Sequence, residues 1–170
     1  MQLQDLRTLL DFHYWARDRV LDAAAALAPD QFTRDMGGSF RSIRDTLVHL
    51  YSAESVWLQR WQGISPAVPI AAEEFSDVVT LRKAWGTQEA RMRAHLDSVG
   101  EKGLDLVIEY RMLNGEPGAS VFWHMLQHVV NHGTYHRGQV ITMLRQLGAA
   151  PPKSVDLIAF YRTRDARGSR

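Results

Sequence analysis

Four histidines, His124, His128, His132 and His136, recur at intervals of four residues. Residues four apart lie one above the other on the same face of an α-helix. Neighbouring imidazoles in this series could therefore ligate one metal ion, as two histidines do in the helical metalloprotease motif. Two ligands on one helical turn do not complete a site, so a third ligand has to come from elsewhere in the chain.

The spacing alone does not decide which neighbouring pair would share an ion. Each step of four residues rotates by about 40° around the helix axis, so only adjacent histidines converge. The candidate pairs are His124/His128, His128/His132 and His132/His136. Context favours His132/His136, because Gly133 and Gly138 remove side-chain bulk there and nearby polar groups could hydrogen-bond the ligands. Those polar groups are Asn131, Tyr135, Arg137 and Gln139.

The third ligand should come from another helix. His49 is the first candidate, because it lies in an apolar stretch where a lone imidazole would need a partner. His13 is the next candidate, although a histidine on an apolar face is more often a hydrogen-bonded core residue. We expect His95, which follows closely after Arg91 and Arg93, to be on the surface. We expect His124 to pack among the apolar residues at the start of its helix.

Helical periodicity predicts an all-α fold, namely a four-helix bundle with a short strand or hairpin before the last long helix. The long helices are expected at residues 3–27, 42–61, 77–99 and 117–147, the last beginning at Pro117 or Ser120. Ser42 is the expected N-cap of the second helix, and Ser76 or Asp77 that of the third. Alternating residues from Leu104 and the Asn114-Gly115 turn signal predict the hairpin. Segments 30–41 and 63–75 are expected to be loops, 155–161 a short docking element and 162–170 a frayed basic end.

The composition restricts the classes of site and partner. Of 170 residues, 45% are hydrophobic and 23% are charged, so we expect one globular domain over residues 1–170. The absence of cysteine excludes disulfides, thiolate metal ligands and a cysteine nucleophile. A net charge of +1 offers no electrostatic surface for nucleic acid, and no apolar run is long enough for a membrane helix. With no secretory signal pattern, we expect a cytoplasmic protein.

The segment from Asn131 to Gln139 (NHGTYHRGQ) resembles the late N-H-x-x-x-H-R-G-Q motif of the DinB/YfiT-like superfamily. The upstream half of that family's pattern is a histidine at the start of a His-Leu segment. His49-Leu50-Tyr51, followed by Glu54-x-x-Trp57, is similar to it. Residues 32–43 are similar to the loop that precedes this histidine in the family, so the resemblance spans nearly the whole chain.

The resemblance implies a four-helix bundle that holds one divalent metal ion. It assigns the ligands to His49, His132 and His136, and it places His128 beside the site rather than in it. Characterised members include thiol S-transferases and isomerases, so the resemblance also implies a low-molecular-weight thiol as a cofactor. An all-nitrogen site with an open position suits zinc or nickel, with manganese or iron as alternatives.

Two hypotheses about function follow. In the first, a metal-dependent enzyme of the thiol S-transferase or hydrolase type activates a small thiol or a water for attack on a small electrophile. Glu54 is then a candidate proton acceptor and Arg137 could steady an anionic thiol; the alternatives are a surface position for Glu54 and a structural role for Arg137. In the second, the metal is a structural staple in a non-catalytic stress-response or binding module.

The expected partner is a small-molecule substrate, without nucleic acid or membrane. Helical bundles commonly pair through a face, so we also expect a homodimer, with any exposed tryptophans at the contact. Four tryptophans are assigned to the core or to such an interface: Trp57, Trp61, Trp85 and Trp123.

Overall fold

A computed structural model describes residues 1–168. The elements in chain order are α1 (Leu3–Ala24), α2 (Pro29–Thr33), α3 (Ile43–Trp61), a 3₁₀ turn (Ala72–Glu74), α4 (Val78–Gly103), β1 (Val107–Arg111), β2 (Pro117–Val121), α5 (Phe122–Gln146) and α6 (Leu157–Gly168). Helices α1, α3, α4 and α5 form the predicted four-helix bundle, in which α1 and α3 each pack against both α4 and α5. The expected all-α architecture with one hairpin is confirmed.

Helices α3 and α4 each begin directly after a predicted capping residue, and of the two candidates for α4 the cap is Asp77. Ser42 precedes α3, and its Oγ accepts a hydrogen bond from the backbone N–H of Asp45 at 3.1 Å. Asp77 precedes α4, and its Oδ1 accepts a hydrogen bond from the N–H of Thr80 at 2.8 Å. Each oxygen satisfies a backbone donor that has no partner within its helix. The regular part of α4 ends at Gly100, whose φ of 60° is not helical.

The hairpin before α5 is longer than the sequence predicts. Strands β1 and β2 pair antiparallel from Val107–Val121 to Arg111–Pro117, around a turn in which Gly115 has a φ of 86°. The expectation that the last long helix begins at Pro117 or Ser120 is therefore wrong, because these residues pair with β1. Helix α5 begins at Phe122, directly after β2.

Three further expectations about local structure need correction. Segment 30–41, predicted as a loop, begins within the short helix α2, and segment 63–75 contains the 3₁₀ turn. The basic tail, predicted to be frayed, is helical as far as Gly168, and residues 169–170 lie outside the described part. The predicted docking is confirmed, because the ring of Phe160 on α6 contacts those of Phe12 and Trp15 on α1.

The core lies between the four long helices. Trp61 and Trp85 are buried, whereas Trp57 and Trp123 are half-buried, so none of these four tryptophans is exposed. They belong to the core and its margin, and the homodimer stays a prediction. Among the described residues, no helix combines the length and the apolar character that crossing a bilayer requires.

Candidate metal centre

Helices α3 and α5 bring three histidines together at their contact. His49 lies on α3, and His132 and His136 lie one turn apart on α5. One ring nitrogen from each of the three lies within 4.8 Å of the other two. The Nε2 atoms of His49 and His132 are 3.1 Å apart. We call His49, His132 and His136 the three-histidine cluster.

This geometry could hold a metal ion. Zinc–nitrogen distances of about 2.0–2.1 Å at tetrahedral angles place neighbouring ligand nitrogens about 3.3 Å apart. The 3.1 Å separation of the two Nε2 atoms is close to that spacing. Of the three neighbouring pairs that periodicity allows on α5, His132/His136 is the pair that lies with His49.

Gln139 orients the third imidazole of the cluster. Its Oε1 lies 2.7 Å from Nδ1 of His136. Because a carbonyl oxygen only accepts hydrogen bonds, Nδ1 is the donor in this contact, which leaves Nε2 as the nitrogen that could ligate a metal. A hydrogen bond of this kind on the outer nitrogen is usual for metal-ligating histidines. Gln139 is one of the four polar residues expected near the ligands, and it has that role here.

Two imidazoles of the cluster, those of His49 and His132, are kept in the neutral form that a metal requires. Burial, and next the neighbouring His136, lower the pKa of His49 from 6.5 to about 4. Burial, followed by the charges of His136 and His49, lowers the pKa of His132 to about 3. Desolvation and like charge both disfavour the imidazolium. At neutral pH these two rings therefore present lone pairs rather than positive charge.

The remaining histidines lie outside the cluster. His128 is exposed beside it, with its ring centroid 5.7 Å from that of His132. The ring of His124 lies 4.0 Å from that of Trp123, but His124 is exposed, so the expected burial at the helix start is wrong. His95, expected on the surface, is half-buried and stacks on Trp61. His13, the second candidate for the third ligand, is buried and hydrogen-bonded to Glu54 instead.

The chain matches the family model described as the DinB family over residues 1–165. The chain belongs to the DinB family. It is similar to "Protein DinB" of Bacillus subtilis (strain 168), with 26% identity over 164 residues, covering 89% of this chain and 92% of that protein. It is also similar in fold to the crystal structure of a DinB-like protein from Bacillus cereus ATCC 10987, with a TM-score of 0.64 and 17% identity. That match covers 86% of this chain and 95% of the other.

In this DinB-family chain, the Glu54 carboxylate lies inside the bundle, where it accepts three hydrogen bonds. Oε1 accepts from Nε2 of His13 at 2.7 Å and from Nε1 of Trp85 at 2.9 Å. Oε2 accepts from the hydroxyl of Tyr14 at 3.2 Å. Glu54 is only 2% exposed, so the surface position considered for it is wrong. None of its partners belongs to the three-histidine cluster.

Arg137 extends this arrangement to α5, although it directly follows the cluster residue His136. Its guanidinium donates a hydrogen bond to Nδ1 of His13 at 3.3 Å and another to Oγ1 of Thr134 at 2.9 Å. Arg137 is 2% exposed, and its contacts are those of the structural role considered for it. Glu54, His13, Tyr14, Trp85 and Arg137 form what we call the Glu54 network, which joins α1, α3, α4 and α5.

Sequence reasoning missed the Glu54 network, although one signal was available. Glu54 lies four residues after Leu50 and four before Leu58, within the apolar stripe of α3. A carboxylate in such a stripe is buried with the core and needs internal donors. The donors themselves are distant in sequence, so their identity could not be derived from the spacing.

Proposed function

We propose that His49, His132 and His136 bind one divalent transition-metal ion, and that the protein uses it to activate a small thiol or a water for attack on a small electrophile. The observation that carries this proposal is the convergence of three imidazole nitrogens from two helices within 4.8 Å. A metal of the zinc or nickel type fits an all-nitrogen donor set, with manganese or iron as alternatives.

Three protein ligands leave a coordination position for a reacting group, which is the usual difference between catalytic and structural zinc sites. An ion held there supplies a lowered pKa to a water or thiol, and it can polarise a carbonyl group. The protein residues contribute orientation and protonation state. Gln139 fixes the ring of His136, and burial keeps His49 and His132 neutral.

A second function, in which the metal is only structural, is favoured because the two acid–base candidates form hydrogen bonds away from the three-histidine cluster. Glu54 and Arg137 hydrogen-bond within the Glu54 network, and among the described residues no carboxylate joins the three-histidine cluster. In this alternative the ion is a structural staple that holds α3 against α5 in a binding or stress-response module. Removing the metal would then cost stability without loss of turnover.

Metal analysis of two variants tests the ligand assignment. His49→Ala removes a cluster imidazole, whereas His95→Ala removes a half-buried imidazole that stacks on Trp61. Elemental analysis of the purified proteins should give about one ion per chain for wild type and His95→Ala, and nearly none for His49→Ala. Equal metal in the two variants would remove His49 from the site.

Turnover distinguishes the enzyme from the staple. Zinc- and nickel-loaded protein should convert epoxides or chlorinated aromatics in the presence of a small thiol, or hydrolyse activated esters with water alone. His132→Ala should lose this activity, and His124→Ala, which removes an exposed histidine of the same helix, should retain it. A loaded, folded protein that converts none of these compounds would favour the structural staple.

A further inference from the structure

A small loop carries an aromatic ring onto the three-histidine cluster. In the 36–41 loop, the N–H of Met36 donates a hydrogen bond to the carbonyl of Arg41 at 2.6 Å. Just before the loop, Asp35 accepts a hydrogen bond from Nε of Arg41 at 2.9 Å. Gly37 at the turn has a φ of 68°, which glycine adopts without strain. These two hydrogen bonds hold the ends of the loop together, and the side chain of Phe40 lies against α3 and α5.

Phe40 covers two of the three imidazoles. Its ring stacks on that of His49, with the centroids 4.0 Å apart and the planes inclined by 24°. It also meets the ring of His136 edge-on at 5.4 Å. Phe40 is half-buried, so one part of its ring contacts the cluster and the other part reaches the surface.

Two clefts meet at Phe40. The α3 cleft, of about 300 Å³, lies between the 36–41 loop, α3 and residues 69–73, and it includes His49 and the apolar side chains of Val48 and Ile70. The α5 cleft, of about 500 Å³, lies between the same loop and residues 135–146 of α5, and it includes Gln139. Ser39 and Phe40 line both clefts, so this end of the loop forms their boundary. Of the two residues, Phe40 has the larger side chain, and its ring contacts His49 and His136 there.

We propose that Phe40 is the specificity-determining residue of this site, because its ring separates the two clefts and restricts metal-directed ligands to those that one cleft can hold. The preferred substrate is then a small, largely apolar molecule that packs against Phe40, Val48 and Ile70 while its reactive atom lies beside His49. Branched molecules that need both clefts are excluded. This proposal rests on the proposed function, since it requires a metal with an open position.

Cobalt-loaded full-length protein provides a test that does not need the natural substrate. Co²⁺ reports a new ligand through its visible absorption, and two imidazole derivatives serve as probes. 1-Methylimidazole is small, whereas 1-(diphenylmethyl)imidazole binds through the same type of ring nitrogen but carries two phenyl rings.

The wild type should bind the larger probe about tenfold or more weakly than the smaller, because a phenyl ring of that probe would overlap the closely packed ring of Phe40. Phe40→Ala should reduce this difference to about twofold or less, because removing the ring joins the clefts.

Two further variants separate the boundary role from general packing. Phe40→Tyr keeps the ring and should keep the wild-type preference. Tyr135→Ala removes a ring that also contacts His136 and that lines the α5 cleft but not the α3 cleft, so it should keep the preference as well. Equal binding of the two probes by the wild type, or an unchanged preference in Phe40→Ala, would overturn the assignment of Phe40.

The same titrations distinguish failure of this proposal from failure of the proposed function. A protein that binds no cobalt, or whose cobalt spectrum does not respond to 1-methylimidazole, has no open metal site, and both proposals fall. A protein that binds cobalt and 1-methylimidazole but does not discriminate by size at Phe40 keeps its metal site and loses only the proposed selectivity.

Discussion

Gly133 on α5 leaves the space that the imidazole of His13 on α1 fills. A Cβ atom at Gly133 would lie 2.5 Å from Cε1 of His13 and 2.7 Å from a terminal nitrogen of Arg137. Real Cβ contacts are not this short, so a side chain at position 133 would displace the His13–Arg137 hydrogen bond. Gly133 lies directly after the cluster residue His132, so the three-histidine cluster and the Glu54 network are neighbours on α5.

We expect Gly133→Ala to destabilise the protein by about 1–3 kcal/mol, the usual cost of inserting a methyl group into a packed interior. Gly138→Ala is the matched control on the same helix, because a Cβ atom there meets nothing within 4 Å. It should stabilise by about 0.5–1 kcal/mol through the higher helix propensity of alanine. Urea denaturation of both variants measures the difference, and a Gly133→Ala protein as stable as wild type would contradict the close packing.

Glu54→Gln tests the buried carboxylate. The amide keeps one acceptor oxygen but loses the negative charge and replaces the other oxygen with a donor, so we expect a loss of about 1–3 kcal/mol in unfolding free energy. Glu73→Gln is the control, because its carboxylate is 78% exposed and lies 3.7 Å from Arg44. That substitution should change stability by no more than about 0.5 kcal/mol. Similar losses for the two variants would mean that the Glu54 network contributes little.

Gln139→Leu tests the orientation of His136. Without the hydrogen bond to Nδ1, the ring no longer has a fixed tautomer, and we expect zinc affinity to fall by about 10- to 100-fold. Gln146→Leu replaces an exposed glutamine of the same helix and should leave zinc affinity unchanged. Competition with a chromophoric chelator gives both affinities. If Gln139→Leu bound zinc as tightly as wild type, the hydrogen bond at 2.7 Å would have no part in binding.

The metal-free protein should lose stability in acid. The folded-state pKa values of His49 and His132, about 4 and about 3, lie below the usual 6.5, so the unfolded chain takes up protons first as the pH falls. The stability that these neutral rings contribute is complete above about pH 6.5 and is lost as the pH falls towards about 4 and below. Urea denaturation of the apoprotein across this range measures the decline. His49→Asn/His132→Asn should show a smaller decline, and an equal one would contradict the shifted pKa values.

The local features of the fold could be predicted because they depend on neighbouring residues. Ser42 and Asp77 cap their helices as expected, since a cap needs only a side-chain oxygen and a donor three residues later. The predicted start of α5 was wrong because Pro117–Val121 pair with β1, and this pairing is a contact between residues of two separate strands. A helix propensity read from the sequence does not include that competing contact.

The histidines show the same difference between local features, which the sequence predicts, and long-range contacts, which it does not. Spacing and context favoured His132/His136 and proposed His49, and the structure brings these three together. His13 was a reasonable second candidate by its apolar surroundings, and only the packing of α1 against α3 and α5 turned it towards Glu54 and Arg137. Phe40 had no predicted role, because nothing in the 36–41 loop indicates which helices its ring will contact.

The sequence by itself determined the four long helices and a ladder of imidazoles on one of them, because both depend on the fixed period of the α-helix. Only the tertiary structure decided which imidazoles meet, which ring covers them and which carboxylate lies in the core. Those relationships join residues up to 124 positions apart in the chain, as between His13 and Arg137. They are set by how the helices pack, and that packing depends on the shapes of all the facing side chains together.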